Sequence, residues 1–347
     1  MRVIKSTCNA QTWDFFIEEN YPQSGGFMQT WAWGMFQKSL ERPIDRYAVM
    51  DGKKNIAMFT LVEFNTRFKL SYGYIPRGPV MLRGIDTEKM ASVFETIQEW
   101  SKKTFPRFMF LRLEPPIECA PPLKNHGFYI PSFYIQPRYN AVVNLRKSEE
   151  EILASFHPST RANIKKAEKR NVHVVIKDTV TESEYREFTN MIRDTITRNK
   201  GVNVYPNDSY FYSLFKNVPF VVFQAFQDNV PSSTHFVLFS GKTATYLYGA
   251  SHTSNLSSKV DTYLHWAAMK EAKQKGLYYY DLGGIDPERW PGLTTYKRQY
   301  RGEELSYIGN IDISYRPFLY RAHSLGKQIK VSTTKYIAKI IKTVQKN

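Results

Sequence analysis

The chain has 347 residues, 42% of them hydrophobic and 15% aromatic, enough for two or three domains of ordinary size with apolar cores. Its 48 lysines and arginines against 32 acidic residues leave a formal net charge of +16, which favours polyanionic partners such as nucleic acid, an anionic membrane face or phosphorylated substrates. Two cysteines without a C-x-x-C pair exclude a disulfide framework and suit a reducing compartment. The N-terminus lacks the apolar centre of a secretory signal, and no stretch approaches the roughly 18–20 apolar residues of a membrane helix. A soluble, cytoplasmic protein is expected.

In the first half, "RYAVM" (46–50) and "IAMFTLVEF" (56–64) read as adjacent strands joined through Asp51-Gly52, a hairpin signal. "KLSYGYIPRGPV" (69–80) reads as a strand running into a Pro/Gly turn. The spacing predicts a helix over 87–103 and a strand over "RFMFLRLEP" (107–115). The second half repeats that order. A helix starts near Ser148-Glu149-Glu150, "STRANIKKAEKR" (159–170) reads as a helix capped by Ser159 or Thr160, and a further helix covers 182–199. "FVVFQAFQ" (220–227) and "STHFVLFSGKTATYLYGAS" (233–251) supply strands, followed by a helix at 258–275 and the strand "LYYYDL" (277–282). Paired strands, then a helix, then a strand, twice over, predict a duplicated α+β unit, with domains at 1–145 and 146–314. The tail from 315 to 347 carries eight basic residues and no acidic one. It is expected to form an amphipathic helix that packs on the first domain, or that lies on an anionic membrane surface.

The seven histidines show no H-E-x-x-H and no i, i+4 pair backed by a carboxylate, so no zinc site is expected. There is no G-x-S-x-G elbow and no glycine-rich phosphate loop. The element order brings to mind acetyltransferase-type (GNAT-type) folds, which cradle coenzyme A pyrophosphate on a glycine-rich turn at a helix N-terminus. The nearest match is "RNKGVN" (198–203), with Asn203 where the last small residue belongs. The expectation is that the coenzyme A site is lost and that no cofactor is used.

Three stretches then carry a resemblance: "GGFMQTWAWGMFQKS" (25–39), "LRKSEEEILASFHPSTRANIKKAEKRNVHVVI" (145–176), and "DLGGIDPERWPGLTTYKRQY" (281–300) continued into "YRGEELSYIGNID". In this order and spacing they resemble the FemABX family, the tRNA-dependent aminoacyltransferases of peptidoglycan interpeptide bridges. The resemblance spans about residues 20–315. It implies two GNAT-type domains in tandem, and the short interval between 182 and 220 implies the compact FemX-like branch, without a long coiled-coil arm.

The same resemblance implies a role for Lys297, which falls where the family has a lysine that steadies the oxyanion developing on the aminoacyl ester. A cation held beside a developing oxyanion in a dry cleft supplies several kcal/mol. Tyr296 is implied to lie against the tRNA acceptor end, and Gly283 and Gly284 to let the backbone pass close to substrate. Tyr248 and Ser251, in "TYLYGASH" (245–252), are implied substrate contacts. A substrate-binding lysine of a compact relative falls at Met35 or Gln37, with Lys38 the nearest cation. An arginine of the family falls near Tyr205, with Arg198 the nearest. On residue chemistry alone, Lys297 reads equally as a solvated lysine and Tyr248 as a packed tyrosine. The basic face of 159–170 reads either as a phosphate contact or as an ordinary solvated surface.

The implied function is aminoacyl transfer from aminoacyl-tRNA to the stem peptide of a peptidoglycan precursor, UDP-MurNAc-pentapeptide or lipid II. The protein is expected to be a monomer, with peripheral contact at the inner membrane face. The alternatives are a coenzyme A-dependent N-acyltransferase of the same fold, and a non-catalytic basic protein that binds RNA or membrane.

Overall fold

The computed structural model describes residues 1–21, 23–66, 70–123, 127–131, 133–198 and 205–326. The chain divides into two compact units, and neither is one continuous segment. Unit 1 comprises Met1–Ser6, Pro43–Gln136 and the chain from Ile308 on; unit 2 comprises Thr7–Arg42 and Pro137–Tyr307. The expected boundary near residue 145 is therefore displaced. Residues 7–42 and 137–145 lie in the second unit, and the chain returns to the first after Tyr307.

Unit 1 contains β1 (Arg2–Lys5), β2 (Ile44–Asp51), β3 (Lys54–Asn65), β4 (Ser71–Ile75), β5 (Val80–Met81), β6 (Phe108–Leu113), β7 (Phe128–Tyr129) and, from the far end of the chain, β15 (Ile311–Ser314). The sheet order is β1-β2-β3-β4-β6-β15-β7, with β5 on β3. The predicted hairpin joins β2 to β3, with Gly52 at φ +60° in the tight turn. β4 and β6 run parallel and stay paired from Ser71↔Phe108 to Ile75↔Leu113.

The crossover between them is α3 (Thr87–Thr104), started by the Asp86 side chain accepting from the Lys89 N–H. Its Val93, Phe94 and Ile97 reach a core formed with Val49, Phe59, Leu111 and Ile313. Arg112 and Asp312 form a fully buried two-pronged ion pair at 2.7 and 2.6 Å, and the Tyr320 hydroxyl donates to the same carboxylate at 3.0 Å. Residues 317–326 are helical, with Tyr320 edge-on to Phe110 at 5.4 Å. The rest of the expected tail helix, 327–347, lies outside the described residues.

Unit 2 contains β8 (Tyr139–Asn144), β9 (Val172–Lys177), β10 (Phe220–Gln227), β11 (Val230–Ser240), β12 (Thr243–Ser251), β13 (Tyr279–Ile285) and β14 (Glu303–Ser306). Their order is β14-β8-β13-β12-β11-β10-β9, so strands alternate their side chains between two faces. One face carries Phe223, Val237, Ala244, Tyr280 and Leu282. It packs on α4 (Glu149–Ser155), α5 (Pro158–Glu168) and α8 (Val260–Gln274). The other carries Val222, Phe236 and Leu238 against α2 (Trp31–Ser39), α6 (Glu182–Arg198) and α7 (Asp208–Asn217). The predicted cap of α5 is shifted: His157 is the N-cap, and Pro158 takes the first helical position, where its missing N–H costs nothing.

The duplication is visible in the sheets. Each has antiparallel strands, a helix, and one parallel pair, β4·β6 in unit 1 and β12·β13 in unit 2. Among the described residues no helix exceeds the 18 residues of α3, and none is long and apolar enough to cross a membrane.

Candidate active site

The parallel pair of unit 2 is short. β12 and β13 share register only from Thr243↔Tyr279 to Thr245↔Asp281. Beyond that point β12 continues to Ser251 and β13 to Ile285 without pairing, which opens the sheet between them. β13 also bulges against β8 between Asp281 and Gly284. Gly283 makes the bulge, with φ at +79°, a conformation costly for any side chain. Gly284 is required for space: a Cβ there would lie 2.2 Å from Pro137 Cγ. At Gly283 a Cβ would stand 3.4 Å from Lys297 Nζ. The two glycines thus admit Pro137 and a lysine amine.

Lys297 lies in α9 (Pro291–Arg298), where Pro291 opens the helix. Asp286 fixes the approach: its carboxylate accepts from the N–H groups of Glu288 and Arg289, and its own N–H donates to Thr294 Oγ1. α9 buries Thr294 and Lys297. Lys297 is 5% exposed, and its ammonium donates to the Gly284 carbonyl at 2.9 Å. Burial pushes its pKa down to about 8, opposed by the charges of Asp281 and Asp261. An ammonium has three N–H donors, so donors remain for a ligand.

Asp281 is fully buried and internally satisfied. It accepts from Ser24 Oγ at 2.6 Å, from the Gly283 N–H at 2.7 Å and from Asn140 Nδ2 at 3.3 Å. Burial raises its pKa against these bonds.

Asp261, in the first turn of α8, is held differently. Its Oδ1 lies 2.7 Å from His235 Nε2, and its Oδ2 accepts from the Tyr296 hydroxyl at 2.7 Å. Burial alone would raise this carboxyl, but His235 and Tyr296 outweigh it and hold it below the usual range. A third of the side chain, 34%, meets solvent, whereas His235 is fully enclosed. His265 packs at 4.5 Å from the His235 ring, with Nδ1 at 3.0 Å from the Tyr280 hydroxyl. Burial, His235 and Lys297 push its pKa well down against the charge of Asp261.

His235, Asp261 and His265 bring ligand atoms within 4.8 Å of one another, a donor set that divalent transition metals accept. A metal held by all three would have to part Asp261 from His235. Asp261, held by His235, supports Tyr296 through a hydrogen bond, while His265 bonds Tyr280.

The remaining candidates have other partners. A bulge at Leu247 sends Tyr246 to the two histidines and Tyr248 to Phe211 on the opposite face, at 4.9 Å. Ser251 Oγ meets Ser233 Oγ at 2.7 Å across β11. The Tyr205 hydroxyl donates to the Gly249 carbonyl at 3.2 Å, and the Gly249 Cα lies under Tyr246 and His235. Arg198 is exposed and donates to Thr253 and Thr195. Lys38 is exposed in the last turn of α2. The turn over 198–203 lies, beyond Arg198, outside the described residues. Lys297, Tyr296, Gly283 and Gly284 are therefore gathered in one place, whereas Tyr205 reaches Gly249, beside Tyr246 and His235. Asp261, His235 and His265 went unread in the sequence, although Asp261 and His265 stand at i, i+4 on α8.

A profile of the FemAB family matches residues 9–128, 123–219 and 221–328. The lipid II:glycine glycyltransferase of Staphylococcus saprophyticus is 30% identical over 115 residues, covering 32% of this chain and 27% of that protein. The chain thus matches about a quarter of that relative's length. A crystal structure of FemX is similar with a TM-score of 0.79 at 19% identity, over 93% of this chain and 100% of that one. A tandem GNAT protein from the clavulanic acid biosynthesis pathway is similar at 0.53 and 12% identity, over 90% and 98%. These likenesses show the fold, two GNAT-type units in tandem. With the profile matching nearly the whole chain, the protein belongs to the FemAB family.

Proposed function

We propose that the protein is a tRNA-dependent aminoacyltransferase that extends the stem peptide of a peptidoglycan precursor. The observation that carries this reading is Lys297, a buried cation with unused donors set where β12 and β13 part. The FemAB profile and the lipid II:glycine glycyltransferase relative support the reaction class. The acceptor amine attacks the ester carbonyl of the aminoacyl-tRNA, and the carbonyl π electrons move onto oxygen. Lys297 donates to that oxyanion. Collapse re-forms the carbonyl and expels the ribose oxygen, which takes up the proton released by the amine; the products are an amide and free tRNA. The ester is already activated, so positioning and oxyanion stabilisation suffice.

A lipid-linked acceptor would place this chemistry at the inner membrane face. The test is to incubate the protein with charged tRNAs and either UDP-MurNAc-pentapeptide or lipid II, and to weigh the peptide. A mass gain of one aminoacyl residue is expected. Transfer from acetyl-coenzyme A in its place would assign the protein to the N-acyltransferases of this fold.

A further inference from the structure

The two carboxylates whose charges act on Lys297 are built for different purposes. Asp281 has no exposure and gives its oxygens to Ser24, Asn140 and Gly283. Asp261 uses one contact per oxygen, to His235 and Tyr296, and keeps a third of its side chain open to solvent. A carboxylate has about four lone-pair sites, so Asp261 retains acceptor capacity on its open side. Both of its partners are fixed: His235 is enclosed, and Tyr296 is tied to Tyr300 at 2.9 Å. Tyr296 and Lys297 are consecutive residues of α9. One helix therefore anchors the anion through a hydroxyl and supplies the cation directly.

A carboxylate bonded to Tyr296 and an ammonium on the next residue, Lys297, fit a ligand with opposite charges on neighbouring atoms. An aminoacyl ester becomes such a ligand as it reacts, with an ammonium on Cα and an oxyanion on the adjacent carbon, two groups about 3 Å apart. Resting on the transfer reaction above, we propose that Asp261 binds the α-ammonium of the donor, so that the site selects aminoacyl esters over acyl or hydroxyacyl esters. The acceptor amine does not suit this contact. It must be unprotonated to attack, and a carboxylate would hold its proton in place. The donor's α-amine does not react, and keeping it charged makes the ester carbonyl more electrophilic.

The test uses the full chain and a short RNA hairpin ending in 3′-amino-3′-deoxyadenosine, acylated through a stable amide with either glycine or glycolate. The two ligands differ only in an ammonium against a hydroxyl. Wild-type protein should bind the glycyl form about 10- to 100-fold more tightly, the range for a hydrogen bond to a charged group, and Asp261→Asn should abolish the preference. Equal binding of both ligands by the wild type would overturn the proposal without recourse to any variant. A preference that survives in folded Asp261→Asn would overturn it as well. A clear preference without transfer to muropeptide would keep the ammonium site and reject the proposed acceptor chemistry. Transfer without preference would do the reverse.

Discussion

Burying Lys297 against a backbone carbonyl, with no carboxylate in hydrogen-bond contact, leaves its proton more loosely held than that of a surface lysine. If it donates to the oxyanion, Lys297→Met should cut turnover by roughly 100- to 1,000-fold, the scale of one lost oxyanion donor. Substrate binding should change little in binding assays, because the contact strengthens as charge develops. A pH profile adds a second reading. The active ammonium is lost above about pH 8, so wild-type turnover should fall there.

Stability should move the other way. Lys297 titrates near 8 when folded and near 10.5 when unfolded, so between those values the unfolded chain binds more protons and stability rises with pH. Thermal unfolding of wild type against Lys297→Met isolates this contribution. Of this cluster the sequence displayed Lys297, Tyr296 and the two glycines, because they lie in one short segment. Asp261, His235 and His265 come from two further elements, β11 and α8. Only the sheet order brings them together, and no local pattern records it.

Beside the opening between β12 and β13 lies a bulge of β13 against β8 that two glycines sustain for separate reasons, and substitution should separate them. Gly284→Ala drives a methyl into Pro137 and should lower stability by about 1–3 kcal/mol, the usual cost of overpacking; chemical denaturation measures it. Gly283→Ala strains the backbone at φ +79° by about 1–2 kcal/mol. The strained backbone also carries the bulge beside the Lys297 amine, 3.4 Å from the new methyl, so turnover should fall by more than stability explains. Elements with strong periodicity were legible: the helix read at 87–103 is Thr87–Thr104, and that read at 182–199 is Glu182–Arg198. The short strands β8, β9, β14 and β15 were not, because pairing with remote partners fixes them.

At the scale of the molecule, the two halves of the sequence are not the two units. β8 lies upstream of its unit's other strands, while β15 lies downstream of the whole second unit. Each serves the same sheet position, beside the parallel strand that follows the crossover helix. The duplication was legible as a repeated order of elements, whereas the placing of these two interior strands from opposite ends of the sequence leaves no trace in composition. Asp312 is the sharpest probe of it. Asp312→Ala strands the buried Arg112 guanidinium and removes an acceptor from Tyr320. It should cost about 3–5 kcal/mol, the range for breaking a buried ion pair by deleting one partner. Urea denaturation should show the loss, with Arg112→Met in the same background recovering part of it.

That ion pair joins residues 200 positions apart, and its span sets an order of events on the ribosome. At about 5–20 residues per second, a newly made Arg112 waits roughly 10–40 seconds for Asp312 to be synthesised. Every strand of unit 2, and its N-terminal helices, has been translated by residue 307. The unit whose strands emerge first is thus the last to be completed. Its nascent sheet must hold an unfilled place beside β6, with a guanidinium exposed at that edge, while unit 2 is already able to close.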